Sequence, residues 1–356
     1  MTPSIELGLD TFGDVTLDDS GHPRPHAQVL RQVVAEAVLA DQVGLHFFGV
    51  GEHHRADFAV SAPEVVLAAI AAQTSRIHLG SAVTVLSTDD PVRVFERFST
   101  LDALSNGRAE VIVGRGSFTE SFPLFGFDLA QYSALFEERL ALFAALAAGG
   151  PVTWSGQTRS ALSGQTVYPP VENGRPLRTW VGVGGTPESV VRAARRGLPL
   201  MLAIIGGSPR RFAPYVDRFH RTLAQQSRAP LPVGAHSPGH VAPTDERARE
   251  ELWPHYAAMM TRIGAERGWP PVTRDHFERE AGPDGALCVG SPDTVATKIA
   301  ATVQALGLSR FDMKYSNGTL PHDTLMTSIE LYGTRVAPLV REKLEAAGYR
   351  VETPVM

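Results

Sequence analysis

The sequence predicts a (β/α)8 TIM barrel, an α/β fold, and three observations carry that prediction. Short apolar runs alternate eight times with longer segments of helical periodicity. Most of those runs are continuous rather than alternating, as expected of parallel strands covered by helices on both faces. No proline-rich or charged linker divides the 356 residues, so 1–356 reads as a single domain, a size that one large barrel can reach. An open doubly wound sheet is the competing architecture; eight units in one chain favour the barrel.

The elements follow in order. "IELGLDTF" (5–12) reads as the first strand, and a helix over about 27–43 carries Ala, Val and Leu at helical spacing. "FFGVGEH" (47–53) is the second strand, with a helix opening near Pro63. "IHLGSAVTVL" (77–86) leads to a helix from Pro91 that stops at Asn106-Gly107. "AEVIVGRG" (109–116) precedes a helix over about 131–147, "TWVGVGG" (179–185) one from Pro187, and "PLMLAII" (199–205) one from Pro209. "LPVGAHSPGHV" (231–241) precedes a helix over about 245–267, and "RFDMKYSNG" (310–318) a closing helix over about 321–346. Two stretches exceed ordinary connections: 149–178, rich in Gly, Ser, Thr and Pro, and about 268–309, with its own capped helix "GSPDTVATKIAATVQALG". Both read as insertions on the barrel.

Composition narrows the function. A net charge of −5, with no basic run, gives no support to nucleic-acid binding. The single Cys288 excludes an intramolecular disulfide framework and fits a reducing compartment. With no signal-like N-terminus and no 18-residue apolar segment, the expectation is a soluble cytoplasmic protein with no membrane partner.

In such a barrel the chemistry sits at the C-terminal ends of the strands. Glu52-His53-His54 lies there. Side chains alternate along a strand, so adjacent histidines cannot both face inward while it continues, which argues against a two-histidine metal clamp and for no metal. One inward histidine suits proton transfer; a merely hydrogen-bonded histidine at a strand end fits the spacing equally. Arg115, between two glycines in "VIVGRGSFTESF" and followed by Ser117, is a weak anion signal. "VGVGGTPESVVRAARR" is stronger. Its strand ends in Gly184-Gly185, Thr186 is placed as an N-cap before Pro187, and Ser189 and Arg192 lie in the first turns of a helix whose amides attract phosphate. Similar Ser-Pro caps at 207–211 and 290–294 read as structural. Asp89 and Asp90 read as a solvated loop, and "HSPGH" (236–240) as loop structure around a Pro-Gly turn.

Taken together, "VGEHHRADF", "LGSAVTVLSTDDPVRVFERFSTLDALSNGR", "GRGSFTESFPLFGFD", "GGTPESVVRAARRGLP" and "KYSNGTLPHDTLMTSIELYGTRVAPLVR" resemble the bacterial luciferase-like flavin monooxygenase family over nearly the whole chain. The resemblance implies a barrel that binds reduced FMN at its mouth and uses O2 to oxygenate a small organic substrate. It matches His53 to the histidine that assists flavin-peroxide chemistry or substrate proton transfer, with Glu52 and His54 completing the motif. Arg115 matches the arginine on the FMN phosphate, and Glu188 and Ser189 match the pair at the phosphate-binding helix start. Ala82-Val83 matches a non-prolyl cis peptide beneath the flavin ring. Two positions depart: Gly114 stands where the best-known members carry a reactive cysteine, and Arg192 where they carry a phosphate-binding threonine.

Two other functions remain open at this stage: hydride transfer with the deazaflavin coenzyme, and flavin binding without turnover. The substrate pocket is expected among Phe12, Phe58, Phe118, Phe122, residues 204–207 and the loop after 316, suiting an apolar or planar molecule. No reductase domain is legible, so NAD(P)H is expected to act indirectly through a separate flavin reductase. A homodimer is expected by family resemblance.

Overall fold

The computed structural model describes residues 5–18 and 20–349; the two ends of the 1–356 span lie outside the described residues. The strands are β1 (Glu6–Thr11), β2 (Phe47–Val50), β3 (His78–Val85), β4 (Ala109–Gly114), β5 (Val152–Trp154), β6 (Leu162–Gln165), β7 (Arg178–Val183), β8 (Leu200–Ala203), β9 (Val233–Val241), β10 (Cys288–Gly290) and β11 (Arg310–Lys314). Eight of them pair in parallel in the order β1-β2-β3-β4-β7-β8-β9-β11, and β11 returns to β1, closing the barrel. Between them run α1 (His26–Gln42), α2 (Pro63–Ala71), α3 (Pro91–Leu104), α4 (Ser121–Leu124), α5 (Tyr132–Ala147), α6 (Pro187–Arg196), α7 (Ala213–Gln225), α8 (Asp245–Glu266), α9 (Arg274–Ala281), α10 (Pro292–Leu306), α11 (His322–Leu331) and α12 (Ala337–Ala346).

Local chemistry sets many of these boundaries. Prolines open α2, α3, α6 and α10, where a missing N–H costs nothing. Asp90, read from sequence as solvated loop, instead caps α3 by accepting from Val92 N and Arg93 N, while Asp89 pairs with Arg97. Gly197 and Gly307 end α6 and α10 in the left-handed conformation.

The barrel encloses a small inner core of Phe47, Ile112, Trp180 and Met201, separate from the larger core between strands and helices. Beneath it the fully buried Arg310 lies over the Phe47 ring at 3.5 Å and donates to Glu110 at 2.9 Å, as does the Trp180 indole. Burial alone would raise the Glu110 carboxyl, but Arg310 and Arg178 outweigh it and hold it down at about 2. Gly80 makes room for this layer. A Cβ there would stand 2.7 Å from the Glu110 carbonyl and 2.8 Å from the Phe47 ring.

Five predicted strands end two or more residues earlier than the sequence suggested: β2 at Val50, β4 at Gly114, β7 at Val183, β8 at Ala203 and β11 at Lys314. Beyond β2, β4, β7 and β11 the glycine and polar residues belong to loops at the barrel mouth, and beyond β8 the two isoleucines Ile204 and Ile205 do. The 149–178 stretch holds an antiparallel β5-β6 hairpin. The 268–309 stretch needs correction. Its helix α10 packs on β10, β11, α7 and α12, so it is the barrel's seventh outer helix, and it buries Val295, Ala296, Ile299, Ala300, Val303 and Leu306. The preceding α8, read as that barrel helix, turns Tyr256, Met259, Met260 and Ile263 towards the mouth instead. The inserted segment therefore begins with α8. No helix among the described residues is long and apolar enough to cross a membrane.

Candidate active site

A cavity of about 350 Å³ opens at the C-terminal ends of the strands. Each of the eight barrel strands, or the loop that follows it, contributes. Asp10, Ala82, Gly114 and Gly182 come from β1, β3, β4 and β7, and Ala203, His236 and Asp312 from β8, β9 and β11. The loop after β2 supplies Glu52, His53 and His54 together. Alternation does not separate the histidines as the sequence argument assumed, because β2 has already ended at Val50.

His53 sits in an aromatic cage. Its ring stacks on Phe58 at 4.5 Å and meets the edges of Phe12 at 4.8 Å and Phe118 at 5.0 Å. Its Nδ1 pairs with Glu120 Oε1 at 3.1 Å. Burial alone would raise the Glu120 carboxyl; the His53 hydrogen bond prevails and holds it below its usual range. His54 has a different task. Its Nε2 pairs with Glu52 Oε1 at 3.0 Å, and Glu52 Oε2 accepts from Val85 N at 2.8 Å, tying this loop to the end of β3.

At the other end Arg115, Thr186 and Arg192 all donate to one atom, Ser189 Oγ, at 3.3, 2.7 and 3.2 Å. Arg115 lies 5.0 Å over the Tyr132 ring and has no carboxylate partner among the described residues. Thr186 is the N-cap residue of α6, but its hydroxyl goes to Ser189, so no side chain caps the helix and its positive end stays open. Donors in excess around one hydroxyl suit a phosphate. Arg192 lies outside the cavity wall and is shared with Glu137. Ser117 lines the rim, its carbonyl accepting from Arg267 at 3.3 Å, and Gly184 lines the wall. Gly185 and the exposed Glu188 are not part of the lining.

Between the two ends the Ala82–Val83 peptide is cis and both residues face the cavity. The Gly114 departure now has a physical reason. A Cβ at Gly114 would stand 2.7 Å from Val83 Cγ2. We expect Gly114→Cys to lower stability by about 1–3 kcal/mol through this overlap, and Val83→Ala in the same chain to restore most of it, as read by urea melts. An unaltered melt in the single variant would refute the overlap.

The floor holds groups that sequence reasoning passed over. Asp10 Oδ2 pairs with His236 Nδ1 at 2.6 Å, and Asp312 takes Arg310 Nε on both oxygens at 3.0 and 2.9 Å. His236, assigned from sequence to a loop, is in β9, which stays extended through Pro238; that proline falls beyond the last β8 pairing, where one flank needs no ladder donor. Asp10 had a legible signal, an acid at the mouth end of an apolar strand. Burial pushes the Asp312 carboxyl up to about 7, with Asp10 and Glu110 adding to it and Arg310 opposing. Because this folded value lies above the usual carboxyl value of about 4, the stability it contributes is complete below about pH 4 and is lost as pH rises through about 7. Asp312→Asn should therefore flatten the thermal-stability profile across that window relative to the parent; parallel profiles would contradict the shift. Of the predicted pocket residues, Phe12, Phe58, Phe118, Ile205 and Asn317 line the cavity, whereas Phe122 and Ile204 are buried behind it. No cluster of three or more metal-ligating side chains occurs among the described residues.

A closed parallel barrel whose mouth joins a cationic helix start to a caged histidine defines an oxidoreductase of the flavin-using barrel class. The chain belongs to the luciferase-like monooxygenase family, whose family model matches residues 11–310. It is 23% identical over 372 residues to the alkanal monooxygenase alpha chain of Photorhabdus luminescens, covering 95% of this chain and 99% of that one. An uncharacterized Sinorhizobium fredii protein, y4wF, is 30% identical over 182 residues, about half of each chain (51% and 52%). Among solved structures, the oxygenating constituent of 3,6-diketocamphane monooxygenase from Pseudomonas putida, in complex with FMN, superposes with a TM-score of 0.76 at 18% identity, over 94% of this chain and 98% of that one. An F420-dependent secondary alcohol dehydrogenase superposes at 0.74 with 16% identity, over 95% and 99%. At these identities the two structures speak to the fold alone.

Proposed function

We propose that the chain is a monooxygenase that takes reduced FMN and O2 and oxygenates a small, largely apolar organic substrate. One observation carries this reading: an arginine with no carboxylate partner among the described residues meets an uncapped helix start in an apolar cavity that also presents a caged histidine. Arg115, Thr186, Ser189 and the first amides of α6 would hold the phosphate, with Arg192 steadying Ser189. The Ala82–Val83 peptide, Gly114 and Gly182, which line the cavity, would face the ring system. Reduced FMN, when bound, supplies the activation of oxygen. The chain's own groups exclude water and place the substrate. His53, oriented by Glu120, moves a proton at its Nε2. Glu52 and His54 hold the β2 loop against β3. Reduced flavin would come from a separate NAD(P)H-dependent reductase, and the working form would be a homodimer.

The test is anaerobic titration with reduced FMN, followed by mixing with oxygen and a substrate panel. Saturable binding and oxygen-dependent product support the reading. Binding of the deazaflavin coenzyme in preference to FMN, with hydride transfer and no oxygen use, would replace it. Tight flavin binding with no turnover on any substrate would favour a binding protein.

A further inference from the structure

Across the Phe12 ring from His53 stands a second imidazole, His236, which the reading above leaves without work. Phe12 meets His53 edge-on and lies nearly parallel to His236 at 6.5 Å, so the two histidines flank one benzene ring. Asp10 is 1% exposed, and its Oδ2 accepts from His236 Nδ1 at 2.6 Å. A carboxylate only accepts, so the ring proton is fixed on Nδ1 and Nε2 presents a lone pair. No described residue bonds to that nitrogen, and His236 lines the cavity.

The neighbouring charged side chains have partners of their own. Lys314, the β11 register partner of Asp10, is taken by Asp14 at 3.0 Å and by the Ser316 carbonyl. Asp312, the register partner of His236, is held by Arg310, which also serves Glu110. On the β8 side stand only Met201 and Ala203. Asp10 Oδ1 is buried with no hydrogen-bond partner among the described residues.

We propose that Asp10 and His236 form a second acid–base pair, and that the substrate carries an ionisable hydroxyl of the phenol or enol type. This deepens the proposed function and rests on the cavity being its substrate site. The substrate O–H bond breaks, its proton bonds to His236 Nε2, and the electron pair stays on the substrate oxygen. The imidazolium so formed lies against Asp10 and returns the proton to the product oxygen on release. Acidity selects the class. A phenolic hydroxyl ionises at about 10, whereas an alcohol or alkane holds its proton far more tightly. Phe12, Met201, Tyr256 and Met259, which line the same cavity, suit a planar apolar body.

The experiment uses flavin-free protein and 4-nitrophenol, whose coloured anion is distinct from its acid. At a pH below the probe's own midpoint, binding should raise the anion-to-acid ratio about tenfold or more. His236→Gln and Asp10→Asn should each abolish that rise. FMN affinity is measured on the same variants; values within a few-fold of the parent exclude misfolding as the cause. Imidazole nitrogen NMR of the parent gives a second readout, with His236 expected to carry its proton on Nδ1 at neutral pH. No bound anion in the parent, a rise that survives His236→Gln, or the opposite tautomer overturns the proposal. Failure of FMN binding with the anion shift intact overturns the flavin reading and not this one.

Discussion

Replacing His53 with alanine lowers kcat by about two to four orders of magnitude while flavin affinity stays within a few-fold; a positioned proton-transfer group contributes on that scale. The expectation follows from where the ring sits. Phe12, Phe58 and Phe118 enclose it and Glu120 holds Nδ1, so the imidazole is fixed in orientation and its Nε2 alone is left for a ligand. No hydrogen bond or ring contact joins it to Arg115 or Ser189, so losing it spares the phosphate anchor. Glu120→Gln should give a milder loss, because the amide still holds the ring but no longer offsets an imidazolium. Steady-state turnover alongside a flavin titration checks both. Undiminished turnover in His53→Ala would take this residue out of the mechanism.

Arg115→Met weakens FMN binding by about tenfold to a hundredfold, the scale of one lost charge-assisted hydrogen bond. Riboflavin, which lacks the phosphate, should bind parent and variant alike, so the ratio of the two affinities isolates the anchor from any change in cavity shape. Stability should change little, since the guanidinium gives up only the Tyr132 ring and a long bond to Ser189. Fluorescence quenching of both flavins measures the ratio. Equal losses for FMN and riboflavin would show that Arg115 shapes the cavity and does not grip a phosphate.

The barrel was legible because its signals are local. Each strand is an apolar run and most helices open on a proline or close on a glycine, so neither depends on distant partners. The anion end was legible for the same reason: Gly184, Thr186, Ser189 and Arg192 lie within one strand-helix turn. The floor was not. Asp10 and His236 stand 226 residues apart and become a pair only through the closure of β1 on β11 and β11 on β9. His53 was found but its orienting partner Glu120 was not, since 67 residues and a loop of no fixed pattern separate them. The exchange of roles between α8 and α10 was hidden because both show helical periodicity. Which of two such helices lies on the sheet is decided by packing, not propensity.

The roof of the cavity comes from α8, which belongs to a segment whose one strand, β10, pairs with β9 outside the eight strands that close the barrel. Side chains such as Met259, Met260 and Ile263 can therefore be exchanged without disturbing the ladder below or the grip on the phosphate. Diversification of what is accepted is mechanically decoupled from preservation of how it is transformed, and laboratory evolution of new selectivity has a natural address in residues 256–263.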